Sequence, residues 1–167
     1  MKGKILINDF FACTYMKLAT LVYVQHEQKT LMIHRNKRKG DIHEGLWNGL
    51  GGKFEPGETP EECARREVLE ESGLTIKMMK YKGLITFVNF KGDDWYVFVF
   101  TGKGIEGSLH DPDEGHLEWI ADEKILDLPL NEDDYLFIPW LKKRGVFSAK
   151  FVYHGDKIVD HSVHFYP

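Results

Sequence analysis

The stretch GGKFEPGETPEECARREVLEESGL, residues 51–74, carries the strictest folding instruction in the chain. Thr59 is a good N-cap, Pro60 suits the first helical position, Glu62 completes a T-x-x-E capping box and Gly73 suits a C-terminal stop. The spacing therefore predicts a helix over residues 60–72. Upstream, KLATLVYVQH (17–26) and TLMIHR (30–35) are apolar and β-branched runs separated by a short polar break, the pattern of a hairpin. Between hairpin and helix runs a glycine-rich polar stretch, residues 36–59, in which Gly49, Gly51 and Gly52 permit unusual backbone angles or a close approach to a ligand.

Downstream, TIKMMKYKGLITFVNF and DDWYVFVFTG read as strands, and HLEWIADEKILDLPL as a short strand leading into a helical turn. Residues 131–143 read as a second helix despite Pro139, with Asn131 as N-cap and acids in the first turn. The tail from Val146 reads as a hairpin turning at Gly155 and Asp156. The class expected is α/β (α+β), with strands and helices interleaved.

Composition narrows the function classes. With 167 residues, 43% hydrophobic and 13% aromatic, the chain is expected to fold as a single domain, residues 1–167, rather than remain disordered. Residues 1–15 are either an N-terminal extension or an extra strand. No apolar run approaches the length of a membrane span, and Asn8 and Asp9 interrupt any signal-peptide core. Cys13 and Cys63 are too few to staple a domain of this size and are expected as free thiols in a reducing compartment, so the expected location is cytoplasmic. A formal charge of −4 argues against a membrane or duplex nucleic acid as partner and requires any anionic ligand to be gripped locally.

Within the predicted helix Glu67, Glu70 and Glu71 stand at i, i+3 and i+4, which places three carboxylates on one face. They repel one another and lie toward the end of the helix where its dipole disfavours anions. Arg65 and Arg66 are the helix's cations, and neither stands four residues after a glutamate of the patch, which makes surface pairing a poor compensation. Clustered carboxylate oxygens suit a hard divalent cation, Mg²⁺ or Mn²⁺, of the kind that binds phosphates alongside one or two carboxylates. The competing reading is a solvated acidic face.

The surrounding residues decide between the two. Gly52, Glu58, Arg66, Glu67, Val68, Glu70, Glu71, Gly73 and Leu74 fit G-x5-E-x7-R-E-U-x-E-E-x-G-U, with U aliphatic. Seven fixed letters at frequencies of about 7% match by chance on the order of 10⁻⁸ per starting position. The stretch resembles a complete Nudix box. The resemblance implies a Nudix fold, a mixed β-sheet sandwiched between helices with a C-terminal β-hairpin, and divalent-metal-dependent hydrolysis of a pyrophosphate bond. It further implies metal binding by Glu67, Glu70 and Glu71, helped by a backbone carbonyl at Gly51 or Gly52, with Glu58 and Arg66 bracing loop against helix.

The flanks resemble the MutT-like subgroup, which hydrolyses oxidised purine nucleoside triphosphates such as 8-oxo-dGTP to the monophosphate and pyrophosphate. The resemblance rests on Trp47-Asn48-Gly49, Glu114, Asp133-Asp134, Pro139-Trp140 and FSAKFVYHGDKIVD, and extends from about Leu18 to the C-terminus. It implies Asn48 pairing with a purine edge, Asp133 and Asp134 reading the ring N–H and exocyclic groups, and Glu114 as an extra acid outside the box. Phe87 and Ile42 are candidates for apolar contact with the base, Thr20 for its edge, Lys53 for phosphate charge and Arg35 or Arg38 for the outer phosphate. Each has a plainer reading as core, turn, cap or solvated charge; acids after Asn131 are what a helix N-terminus favours anyway. Asn131 stands where related chains often carry a tryptophan. Two other functions compete: a Nudix hydrolase of ADP-ribose, a dinucleoside polyphosphate or a capped RNA end, and a non-catalytic nucleotide-sensing module.

Overall fold

A computed structural model describes residues 16–37, 39–40 and 43–167. The expectations placed on residues 1–15, Cys13, Arg38 and Ile42 lie outside the described residues. The elements run β1 (Lys17–His26), β2 (Lys29–His34), β3 (Trp47–Asn48), α1 (Pro60–Ser72), β4 (Leu74–Phe90), β5 (Asp93–Gly107), β6 (His116–Ala121), α2 (Glu132–Phe137), β7 (Val146–His154) and β8 (Lys157–Tyr166). Short 3₁₀ turns occupy Ile125–Asp127 and Ile138–Lys142. Among the described residues no helix is long and apolar enough to cross a membrane.

The strands form one mixed sheet in the order β3-β2-β1-β5-β4-β7-β8, with β6 on β2. β1 lies parallel to β5 and β4 parallel to β7, while the other pairs are antiparallel. Alternation along β1 gives each face its core. Ala19 and Tyr23 face a layer containing Phe137, Ile138 and Leu141, whereas Val22 and Val24 face Ala64 and Val68 of α1. The fold is thus the helix-flanked mixed sheet expected, ending in a β7–β8 hairpin that turns at Gly155 and Asp156.

The opening between β1 and β2 positions everything that follows. The two strands pair only over Val24–His26 and Lys29–Leu31 and then diverge. Residues 47–53 fill the gap: Trp47 and Asn48 pair with His34 and Ile33, and Leu50 exchanges both backbone bonds with Val22. The Thr20 N–H then donates to the Gly52 carbonyl at 2.8 Å. Only glycine fits at 51, where φ is 140° and a Cβ would lie 2.2 Å from the Thr20 carbonyl oxygen. The glycine-rich stretch is therefore partly built into the sheet.

The helix expected over 131–143 is shorter. α2 ends at Phe137 and the chain tightens into the 3₁₀ turn, because Pro139 has no N–H to continue the α-helical ladder.

Candidate active site

Helix α1 forms over Pro60–Ser72 as its punctuation requires. The Thr59 hydroxyl accepts from the Glu62 N–H, the Glu62 carboxylate accepts from the Thr59 N–H at 2.8 Å, and Gly73 closes the helix at φ 72°. The face carrying the acids lies against the glycine segment. Glu71 is 11% exposed at its side chain; its Oε2 accepts from the Gly51 N–H at 2.8 Å, and Arg35 Nη1 stands 4.0 Å from its Oε1. Burial pushes the Glu71 carboxyl up to about 8 against the Gly51 bond, with the Glu67 and Glu114 charges adding to the rise. Glu67, 15% exposed, is also raised, chiefly by burial. A Cβ on Gly52 would sit 2.5 Å from the Glu67 carboxylate, so the glycine leaves the cradle that this group occupies.

Arg66 organises the outer edge of the patch. Its Nε and Nη2 grip both Glu58 oxygens at 2.6 and 3.0 Å, and Nη2 also donates to the Lys53 carbonyl at 3.0 Å. Its Nη1 donates to Glu67 at 2.8 Å and Glu70 at 3.0 Å. The fork holds the Glu58 carboxyl down near 2, with a bond from the Glu55 N–H assisting. This corrects the expectation that helix cations would not serve the patch: Arg66 does so at i+1 and, in the reverse order, at i+4. Glu70, 57% exposed, turns outward onto Arg66, so the structure brings Glu67 and Glu71 together and leaves Glu70 at the rim.

Among the described residues no group of three acidic, histidine or cysteine side chains gathers to cage a metal. The donor set still fits a hard divalent ion. Two half-buried carboxylates, raised by desolvation and facing consecutive glycines, supply the one or two carboxylate ligands such an ion takes beside water and phosphate. The Gly52 carbonyl accepts from the Thr20 N–H at 2.8 Å and from the Cys63 thiol at 3.8 Å.

Beyond the glycines a cavity of about 430 Å³ opens on the α2 side of the sheet. Arg35, Gly51, Gly52 and Lys53 line one end, and Asn48, Asn131, Asp133 and Asp134 the other. The Asn131 side-chain N–H₂ donates to Asn48 Oδ1 at 3.0 Å and to Asp134 Oδ2 at 3.2 Å, while its Oδ1 lies 3.3 Å from His43 Nδ1. Tyr153 donates to Asp133 at 2.5 Å and Tyr23 to Asp134 at 3.3 Å. Burial raises both acids, Asp133 to about 6 and Asp134 further, the latter also by its neighbour's charge. Asp134 at the same time caps α2 by accepting from the Asn131 N–H. Capping and cavity readings therefore hold together at this residue.

The other expected residues divide. Phe87 is buried, lines the cavity and packs on Phe90, Phe151 and Tyr153. Lys53 sits with its ammonium 5.6 Å from the Trp95 ring centre. Glu114 lies outside the cavity lining but contributes to the charge felt by Glu71. Thr20 lines the cavity, and its hydroxyl lies 3.5 Å from Cys63 Sγ of α1. Cys63 is a buried free thiol whose pKa burial pushes up to about 11.

Residue-by-residue reading missed Trp95, Lys17, Asp93 and the phenols of Tyr23 and Tyr153. Lys17 lies opposite Trp95 in the β1–β5 register, stacks 4.9 Å over its ring and pairs with Asp93. Only the strand order brings these groups together, and no local signal announces it.

The comparisons with known proteins agree with this geometry. The NUDIX domain family matches residues 16–141. An oxidized purine nucleoside triphosphate hydrolase of Danio rerio is 37% identical over 150 residues, covering 88% of this chain and 94% of that protein. The mouse protein of the same description is 33% identical over the same shares. The crystal structure of a mutator MutT protein from Bacillus halodurans superposes with a TM-score of 0.79 at 28% identity, covering 89% of this chain and 97% of that one. Nudix hydrolases are generally dependent on a divalent metal, and the match of the family over most of the chain, together with the likeness to these relatives, shows that the chain belongs to the Nudix hydrolases.

Proposed function

We propose that the chain hydrolyses oxidised purine nucleoside triphosphates such as 8-oxo-dGTP to the monophosphate and pyrophosphate, with Mg²⁺ as the divalent ion. The observation that carries this reading is the single cavity joining the glycine segment beside Glu67 and Glu71 to the buried Asp133–Asp134 pair. The activity for which the zebrafish and mouse relatives are named supports it.

Glu67 and Glu71, with the Gly51 or Gly52 carbonyl, would hold the ion and Glu70 and Glu114 would complete the acidic surround. When bound, the ion neutralises phosphate charge and lowers the pKa of an attacking water. Lys53 and Arg35 draw in the triphosphate. A carboxylate of the cluster accepts the proton of the water whose oxygen attacks phosphorus, and the bond to the leaving pyrophosphate breaks. Arg66 and Glu58 keep Lys53 and the glycines in register with α1. At the far end the Asn48 amide and the two aspartates read the purine, and a carboxyl raised by burial can present a proton to a ring acceptor. Phe87 supplies an apolar wall. A reducing cytoplasm is the setting that leaves Cys63 free.

The test is chromatographic measurement of product release, pyrophosphate included, with and without Mg²⁺ across 8-oxo-dGTP, dGTP, ADP-ribose and a dinucleoside polyphosphate. The expected result is Mg²⁺-dependent release with kcat/KM far higher for 8-oxo-dGTP than for dGTP. Turnover confined to ADP-ribose or the dinucleoside polyphosphate would overturn the substrate, and no turnover would overturn the catalytic reading. Asn48→Ala should raise KM for purine substrates about tenfold with little change in kcat; an unchanged KM would make Asn48 only a partner of Asn131.

A further inference from the structure

At the other end of the sheet lies a groove of about 570 Å³ bounded by β4, β5 and the segment that follows α2. Six basic residues line it, Lys80, Lys82, Lys103, Lys142, Lys143 and Arg144, against one acid, Asp122. In a chain of net charge −4 this is a local reversal of sign.

Strand register builds the floor. Met78 pairs with Lys103 and Lys80 with Thr101, so these four side chains share one face, and the two lysines are diagonal neighbours at about 7–8 Å. Gly102, between them, turns to the opposite face toward Ile76. Lys82 is buried and donates its ammonium to the carbonyls of Lys143 at 2.7 Å and Gly145 at 3.4 Å, which pins the basic turn beside the floor. Burial, then the Lys80 charge, lowers its pKa. The Lys143 ammonium lies 4.1 Å over the Phe165 ring. The remaining four, Lys80, Lys103, Lys142 and Arg144, are exposed and make no ion pair among the described residues. Asp122 is engaged by the Thr30 hydroxyl at 2.7 Å.

Six crowded cations facing one acid repel one another, and a multivalent anion relieves that repulsion. Lysines act as point charges for phosphate and Arg144 adds a planar fork that matches its oxygens. No aromatic side chain lines the groove; Met78, Met79 and Leu141 supply its apolar part, so there is no platform on which bases could stack. Val97, which lines the cavity of the Asp133–Asp134 pair, and Thr101, which lines the groove, stand four positions apart on β5, about 13 Å along the strand. We propose that this groove is a second anion site, specific for a short phosphate chain of the pyrophosphate or tripolyphosphate class and separate from the Asp133–Asp134 cavity.

The test is a backbone amide NMR titration of the full chain with sodium tripolyphosphate in EDTA, at low and at high salt. Shifts should centre on Met79, Thr101 and Lys142, saturate, and weaken as salt rises. The triple variant Lys80→Ala, Lys103→Ala, Arg144→Ala alters only exposed side chains and leaves the Lys82 anchor intact. It should bind at least about tenfold more weakly while hydrolysing nucleotide within about twofold of the parent rate. Shifts confined to Gly51, Gly52 and Lys53, or unchanged affinity in the triple variant, would overturn the site. An oligothymidylate of similar charge that binds more tightly than tripolyphosphate would overturn the ligand class.

Discussion

The two ends of the cavity are built in opposite ways. At the phosphate end, the groups that face one another, Gly51, Gly52, Glu58, Arg66, Glu67 and Glu71, lie within twenty-one consecutive positions, on one loop and one helix. At the base end, Tyr23, Asn48, Trp95, Asp133 and Tyr153 come from β1, β3, β5, α2 and β7. Charge is managed differently too. Arg66 answers the outer acids with a full positive charge, whereas Asp133 and Asp134 receive only neutral donors from tyrosine and asparagine. Ionic pairing holds the Glu58 carboxyl down near 2, whereas burial among neutral donors raises both aspartates.

The sharpest break of this contrast is Glu71→Gln. Removing this half-buried carboxylate at the phosphate end should lower kcat by at least about 10²-fold in saturating Mg²⁺, measured by pyrophosphate release; a near-normal rate would remove Glu71 from the chemistry. Next comes Arg66→Lys, which keeps the charge and loses the fork on Glu58. A fall in kcat of about tenfold, with a lower Tm, is expected, since one ammonium cannot hold Glu58, Lys53 and Glu67 together. A variant as active as the parent would show that charge alone suffices.

The base end should respond through pH. The folded pKa of Asp133 is raised from its ordinary 3.8 to about 6, so between these values the folded chain binds more protons than the unfolded one. Its contribution to stability is fully present below about 4 and is lost as pH rises through 6. Asp133→Asn, whose amide oxygen still accepts from Tyr153, should flatten the fall in Tm over that window, and parallel curves would contradict the assignment. The smallest effect belongs to Thr20→Val. With its hydroxyl on Cys63, KM for purine substrates should stay within about twofold and Tm should change little; a large KM increase would return Thr20 to the base pocket.

The same contrast explains what could be read in advance. The helix over 60–72 was legible because caps, proline and stop glycine act on their own neighbours, and the Glu58–Arg66 brace because it spans eight residues of one motif. The β1–β2 hairpin and the tail hairpin were legible for the same reason. Arg66's service to Glu67 and Glu70 was misjudged because a flexible fork reaches positions that a point-charge spacing rule excludes. The pairing of the Thr20 hydroxyl with Cys63 was not legible because its direction depends on where β1 sits in the sheet. Trp95 and Lys17 escaped notice altogether, being neighbours only through a parallel pairing seventy-eight positions long.

That pairing also sets the order in which the molecule can be assembled. α1 and its capping box close over a few residues and can form early in folding, but the wall of the cavity requires Lys17 to find Trp95 across nearly half of the chain. Long-range parallel pairing closes a large loop before its contacts reward it, and is slow for that reason. Far-ultraviolet helix signal should therefore return early in a refolding experiment and nucleotide binding late, so that the chain passes through a stage holding its acidic helix without yet owning a pocket.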